Sequence, residues 1–252
     1  MPLLKTYHIK IIAMNKLFFL LLSVLTFPAF SQQDAFVKDP NAVQRTINSD
    51  FNGIYVSDGV ELYLTGGEQA SLAVSASDEK YMERFITTVE NGVLKIYYDN
   101  KGINWTGNEK RKLKAYVSYR QLSKLAASGG ASVKLTSVLT AEKLEATFTS
   151  GAQFMGEVSI NQLGVSQNSG ASVEMNGKAA KLSVEASSGA IFKGYELATD
   201  YCNAKASSGG SVRLTVNKEL NVKANSGGGI RYKGDGVIRD MNVNSGGMVK
   251  KG

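Results

Sequence analysis

The side chains that most often carry enzyme chemistry are almost missing from this sequence. It holds one His, His8, and one Cys, Cys202. Without a His in the folded part, neither a Ser-His-Asp nor a Cys-His arrangement can be assembled, and the commonest zinc ligand is lacking. A lone Cys forms no internal disulfide and reads as a small buried apolar residue. Gly209-Gly210 and Gly227-Gly228-Gly229 resemble phosphate loops in composition only, because neither is followed by Lys-Ser/Thr and neither opens a helix. Asp58-Gly59 and Asp235-Gly236 lack the other oxygen ligands of a calcium loop and read as turns. No metal site and no cofactor is expected.

Paired carboxylates are the remaining route to hydrolysis. Glu174 and Glu185 both fall on outward positions, but on different strands of one repeat. A hydrolytic pair needs proximity and an environment that raises one pKa. The sequence offers neither, so the expectation is a protein that binds rather than one that catalyses.

Two features could bind. Counted five residues past a recurring Ser, the side chains are Glu174, Lys193, Arg213, Arg231 and Lys250. If the repeats stack, Lys193, Arg213, Arg231 and Lys250 form a basic ridge about 5 Å from step to step, a spacing suited to anionic glycan or to lipopolysaccharide phosphate. The bland alternative is a solvated flank that keeps the fold's edges from pairing with other sheets. Trp105, in the Gly-flanked stretch between Gly102 and Gly107, is a candidate for stacking on a sugar.

The elements that would position these residues come from the recurring Ser itself. Ser-Gly returns at Ser128, Ser150, Ser169, Ser188, Ser208, Ser226 and Ser245, at intervals of 22, 19, 19, 20, 18 and 19 residues. A fixed period in this range marks stacked units that bury their apolar faces only against one another. Within a unit, Ala171, Val173 and Met175 alternate inward, Asn176-Gly177 reads as a second turn, and Leu182, Val184 and Ala186 alternate inward again. Four past the last five Ser lie Val173, Phe192, Val212, Ile230 and Val249, all apolar. Two past lie Ala171, Ala190, Gly210, Gly228 and Gly247, all small. In-register coils require such columns, and the Ser hydroxyls are expected to form a ladder along one edge.

Upstream, residues 49–125 read as a strand-rich section. Ile54 and Val56, Val60 to Leu64, and Leu72 to Ala76 alternate. Ser77-Asp78 ahead of Glu79 to Phe85 predicts one short capped helix. Asn91-Gly92 predicts a two-residue hairpin. Residues 32–48 read as a flexible leader. Residues 1–31 read as a secretory signal peptide, with Lys5, Lys10 and Lys16 before an apolar run from Leu17 to Phe30 and a close at Ala29-Phe30-Ser31. That run is too short for a comfortable membrane span, and His8 leaves with it. The remainder carries 26 Lys and Arg against 22 Asp and Glu, a net +4 that does not call for nucleic acid. The destination expected is the periplasm, the outer surface or the medium.

The Ser-Gly-Ala and Ser-Gly-Gly turns, the opening Ile54-Tyr-Val56-Ser-Asp-Gly59-Val60-Glu-Leu62-Tyr-Leu64 and the Asn91-Gly92-x-Leu94-x-Ile96 hairpin together resemble the head GIN domain. That family occurs in exported proteins of Bacteroidetes-type bacteria. The resemblance spans roughly residues 47–252 and implies an all-β stacked-coil solenoid, with an adhesin label and no catalytic residues to carry over. The reading is an all-β, β-helix-like solenoid of about seven repeats (126–252) after the strand-rich part, acting as a non-catalytic exported binding module for glycan or surface protein. A structural protein that forms homo-oligomers through solenoid faces is the alternative, and a polysaccharide-active enzyme the more remote one.

Overall fold

Our computed structural model describes residues 39–102 and 110–252. The segment read as a signal peptide and Trp105 therefore lie outside the described residues, as do residues 32–38 of the segment read as a leader. In chain order the first strands are β1 (Val43–Gln44), β2 (Gly53–Val56), β3 (Glu61–Gly66), β4 (Ser71–Ser75), β5 (Phe85–Glu90), β6 (Val93–Tyr98), β7 (Lys114–Tyr119), β8 (Lys124–Ala127) and β9 (Ser132–Leu135). They are followed by β10 (Leu139–Phe148), β11 (Gln153–Gln167), β12 (Ser172–Ala186), β13 (Ile191–Ala206), β14 (Ser211–Ala224), β15 (Gly229–Lys233), β16 (Val237–Val243) and β17 (Met248–Lys251).

The repeats stack as parallel coils in register. Phe154, Val173, Phe192, Val212, Ile230 and Val249 are consecutive ladder partners, and all but the last are buried. The Ser-Gly turns close each coil on one edge. Ser150, Ser169, Ser188, Ser208, Ser226 and Ser245 hold φ between 46° and 52°, and the Gly after each holds 73–75°. Two left-handed residues in a row make a type I′ turn, where Gly fits the second place without a Cβ penalty. At 210, 228 and 247, a Cβ would lie 2.2–2.3 Å from a carbonyl oxygen of the neighbouring coil. Only Gly fits there.

The edge ladder differs from expectation in its chemistry. It is built from backbone: the Gly N–H of one turn donates to the Ser carbonyl of the next, from Gly151 to Ser169 through Gly227 to Ser245, at 3.0–3.2 Å. The hydroxyls are not needed, because the turn's own amides already point along the stack. The first repeat is also offset by one residue. Gly129 and Gly130 take the two left-handed places, with Gly130 donating to the carbonyl of Ser150 at 3.0 Å, so Ser128 stands one step early. Asn176-Gly177 is a corner within continuous β12, not a break between strands; Gly177 takes φ 101° where a Cβ would strike the carbonyl of Val158.

The strand-rich section is part of the same stack. The pair β2/β3 lies parallel to β8/β9 on one side and to β6/β7 on the other. Its Asp58-Gly59 turn, at φ 60° and 73°, joins the edge ladder when the Gly59 N–H donates to the Gly129 carbonyl at 2.9 Å. The ladders of β2 with β8 and of β3 with β9 join the strand-rich part directly to the repeats. The helix is reduced to a single 3-10 turn, Glu79–Tyr81, with the Asp78 carboxylate accepting from the Lys80 N–H; Phe85 already belongs to a strand. The hairpin at Asn91-Gly92 joins antiparallel β5 and β6 as its residues predict. Part of the segment read as leader is built in, with Val43 and Gln44 pairing antiparallel to β4. Among the described residues, no helix is long and apolar enough to cross a membrane.

Candidate functional site: one outer column along the stack

Strand alternation sends every second side chain outward, and in-register stacking then lines up equivalent positions. The outward residue that follows each inward Val173-type position forms a single column. In its C-terminal half Glu174 pairs with Lys193, Lys193 with Arg213, Arg213 with Arg231, and Arg231 with Lys250. The ridge expected from the sequence is therefore brought together on one face, and all four cations are exposed.

The four are not equivalent. Lys193 Nζ sits 3.2 Å from the Glu174 carboxylate, so an acid on the adjacent coil answers its charge. Arg213, Arg231 and Lys250 make no salt bridge among the described residues. Three like charges one strand spacing apart repel, and a bound anion would relieve that. Beside them Lys233 lies over the Tyr195 ring at 4.4 Å, and Tyr195, Glu196, Met155 and Arg213 border a shallow hollow of about 570 Å³.

The same column continues upstream, where sequence reasoning did not follow it. Met155 pairs with Lys134, Lys134 with Tyr63, and Tyr63 with Tyr116. The two Tyr rings stack with centroids 5.1 Å apart and planes 13° apart, and Lys134 Nζ stands 5.5 Å from the Tyr63 centroid. Tyr116 donates its hydroxyl to Asp39 at 3.1 Å, and Ser75 donates to the same carboxylate at 2.6 Å. The Ser75 bond is the main reason Asp39 is held below the usual carboxylate range, against an opposing desolvation cost. Burial and the Asp39 contact push the Tyr116 hydroxyl well up. The signal for these residues was present: counting five from Asp58 gives Tyr63, and five from Gly129 gives Lys134, once those turns are seen as members of the repeat.

Other sequence candidates resolve differently. Cys202 is buried and its thiol is pushed up to about 12 by desolvation, which makes it a poor nucleophile. Glu174 and Glu185, expected on different strands, both belong to continuous β12, before and after its Asn176-Gly177 corner. Among the described residues, no three acidic or thiol side chains converge where a metal ion could be held.

Solved structures share this fold. A crystal structure described as a putative adhesin from Bacteroides fragilis NCTC 9343 superposes with a TM-score of 0.74 at 16% identity, covering 84% of this chain and 98% of that one. A putative adhesin from Parabacteroides distasonis ATCC 8503 gives 0.67 at 16% identity, over 84% and 96%. A putative lipid binding protein from the same strain gives 0.61 at 20% identity, over 85% and 98%. No curated protein matches the chain. At these identities the structures speak for the fold alone. The family's own sequence pattern goes further and matches residues 50–236. With its Ser-Gly turns, parallel coils and opening strands in place, this chain belongs to the family described as "putative auto-transporter adhesin, head GIN domain".

Proposed function

We propose that this protein is a non-catalytic adhesion module, exported to the periplasm, outer surface or medium, whose outer column grips a repeating anion such as acidic polysaccharide or lipopolysaccharide phosphate. The observation that carries the reading is the row Arg213, Arg231 and Lys250, exposed, stacked in register and without an acid partner among the described residues. Membership in an adhesin-type family implies an exported or cell-surface setting, and no residue cluster described above favours catalysis. A linear polyanion presents charges at regular intervals, which matches cations repeated once per coil. Trp105 remains a proposed sugar-stacking side chain. A surface protein with an acidic patch is the other partner this row suits.

The test compares the chain with an Arg213→Glu/Arg231→Glu variant on immobilised lipopolysaccharide, an acidic polysaccharide and a neutral glucan. The expected result is binding to the anionic supports only, weakened by salt and reduced at least about tenfold in the variant. Equal binding by the variant, or equal binding to the neutral glucan, rejects the reading.

A further inference from the structure

The outer column has two halves of different chemistry, and only one of them is cationic. From Arg213 the ladder partners run back through Lys193, Glu174 and Met155 to Lys134 and Tyr63. A string of phosphates finds its partners in Arg213, Arg231 and Lys250. Along the other half it finds few. Lys193 is already answered by Glu174 at 3.2 Å, and Lys134 lies 3.9 Å from Glu61. Between these two pairs stands Met155, apolar and 57% exposed.

Beside Tyr63 the surface opens into a hollow of about 620 Å³, bordered by Thr65, Thr136, Lys114 and Asp39. Its polar groups both donate and accept. Lys114 brings ammonium protons 3.8 Å from the Asp39 carboxylate, which itself only accepts and already takes the hydroxyls of Ser75 and Tyr116. Thr136 spends its proton on the Leu64 carbonyl at 3.0 Å, which leaves its oxygen to accept. On the other flank the Tyr63 hydroxyl donates to Glu61 at 3.0 Å. Two carboxylates beside one aromatic ring discriminate. They repel a phosphate, which offers only acceptor oxygens, and they accept from the hydroxyls of a sugar. The carbon face of a sugar ring also has apolar surface to lay against Tyr63 and Met155.

We propose that the ligand is a saccharide chain rather than a string of phosphates, lying along the column with one sugar unit in the hollow beside Tyr63 and its acidic groups on Arg213, Arg231 and Lys250. The proposal rests on the basic row described above and names which of its anions is bound. Five coil steps separate Tyr63 from Arg213, a span of about 24 Å at about 4.8 Å per step. A chain shorter than that engages one half at a time. A longer one joins both halves and gains from the high effective concentration of its second contact. The hollow alone holds a sugar weakly, so a glucan without charges is not retained.

The test is titration calorimetry of the protein with polygalacturonate, with trigalacturonate, which is shorter than the span, and with inorganic polyphosphate. Polygalacturonate is expected to bind more tightly than polyphosphate, and at least about a hundredfold more tightly than trigalacturonate. Tyr63→Ala should weaken polygalacturonate at least about tenfold and Met155→Ala about threefold, with polyphosphate unchanged by either. Arg213→Glu/Arg231→Glu should weaken both polymers. Met155 is exposed, so its loss reports on binding and not on folding; circular dichroism of the Tyr63 variant should match the parent. Tighter binding of polyphosphate, or a Tyr63→Ala and a Met155→Ala that lower both polymers equally or neither, overturns the proposal. Two polymers that both ignore Arg213→Glu/Arg231→Glu overturn the basic row on which it rests.

Discussion

The two ends of this stack are made from the same coil and finished in opposite ways. At the N-terminal end the coil β6/β7 is roofed by antiparallel strands, and Leu72, Val74, Tyr81 and Phe85 close over Leu94, Ile96 and Val117 until all are buried. Arg111 lies 4.0 Å over the Tyr98 ring, and Asp39 ties the entering chain to Ser75 and Tyr116. Among the described residues no strand lies over β16, and residues of the same columns, Met241 and Val243, meet solvent there. Column membership therefore does not decide burial; whether another layer follows does. In repeat architectures a position's energy depends on its nearest neighbours, so identical substitutions should have different costs along one column.

The largest expected contrast is between Phe192 and Val249, which share a column. Phe192→Ala removes a fully buried ring between two coils and should destabilise by about 3–5 kcal/mol. Val249→Ala in the half-exposed last coil should cost under about 1 kcal/mol in the monomer. Urea denaturation of both variants reads the difference. Equal losses would break the comparison.

A polar residue sharpens it. Gln167 is buried between Phe148 and Ala186 in the stack, and neither of its amide atoms has a hydrogen-bond partner. Gln167→Leu should raise stability by about 1–3 kcal/mol, because it removes an unsatisfied buried amide. Val243 ends the same column at the open end. There Val243→Gln should cost under about 1 kcal/mol in the monomer, since the amide reaches water. Thermal melts of the two variants, moving in these directions, would support the contrast; a loss on Gln167→Leu would count against it.

The smallest effect lies at the closed end and depends on pH. The folded pKa of Asp39 is depressed, chiefly by the Ser75 hydroxyl. Its stabilisation is therefore present above the unfolded carboxylate value near 3.9 and fades as pH falls through the lower folded value. Asp39 is half-buried, and because the cost of desolvation offsets part of its hydrogen bonds, the contribution should be about 1 kcal/mol. Asp39→Asn should flatten the acid limb of stability against pH below about 4, with no change at pH 7 beyond that loss.

Much of this fold was legible because stacking imposes column purity, and purity survives in sequence. The small residues at 210, 228 and 247 and the apolar ones at 173, 192, 212 and 230 need no tertiary context to be recognised. What escaped was anything that breaks the period. Asp58-Gly59 performs the same turn as Ser188-Gly189 without the Ser, and β2/β3 is inserted between β6/β7 and β8/β9, out of chain order. Chain order hid the upstream half of the outer column, so Tyr116, Tyr63 and Lys134 could not be joined to Lys193 and Arg213. The hydroxyl ladder was misassigned for a related reason. A Ser at every turn suggests a side-chain role, whereas the Gly amide and Ser carbonyl already complete the edge. The basic row was legible because each of its members sits a fixed count from its turn.

The most direct measurement is a set of spin-label distances along the outer column, with pairs placed at Met155 and Arg231, Lys134 and Arg231, and Lys134 and Lys250. Four, five and six coil steps separate them, so the distances should rise together, from about 19 to about 24 to about 29 Å, at about 4.8 Å per step. Labelled chains diluted in unlabelled protein report only distances within one chain. That even increment is what a straight, in-register stack requires. Distances that fail to increase in this order would place these residues on different faces, and the column with its basic row would not exist.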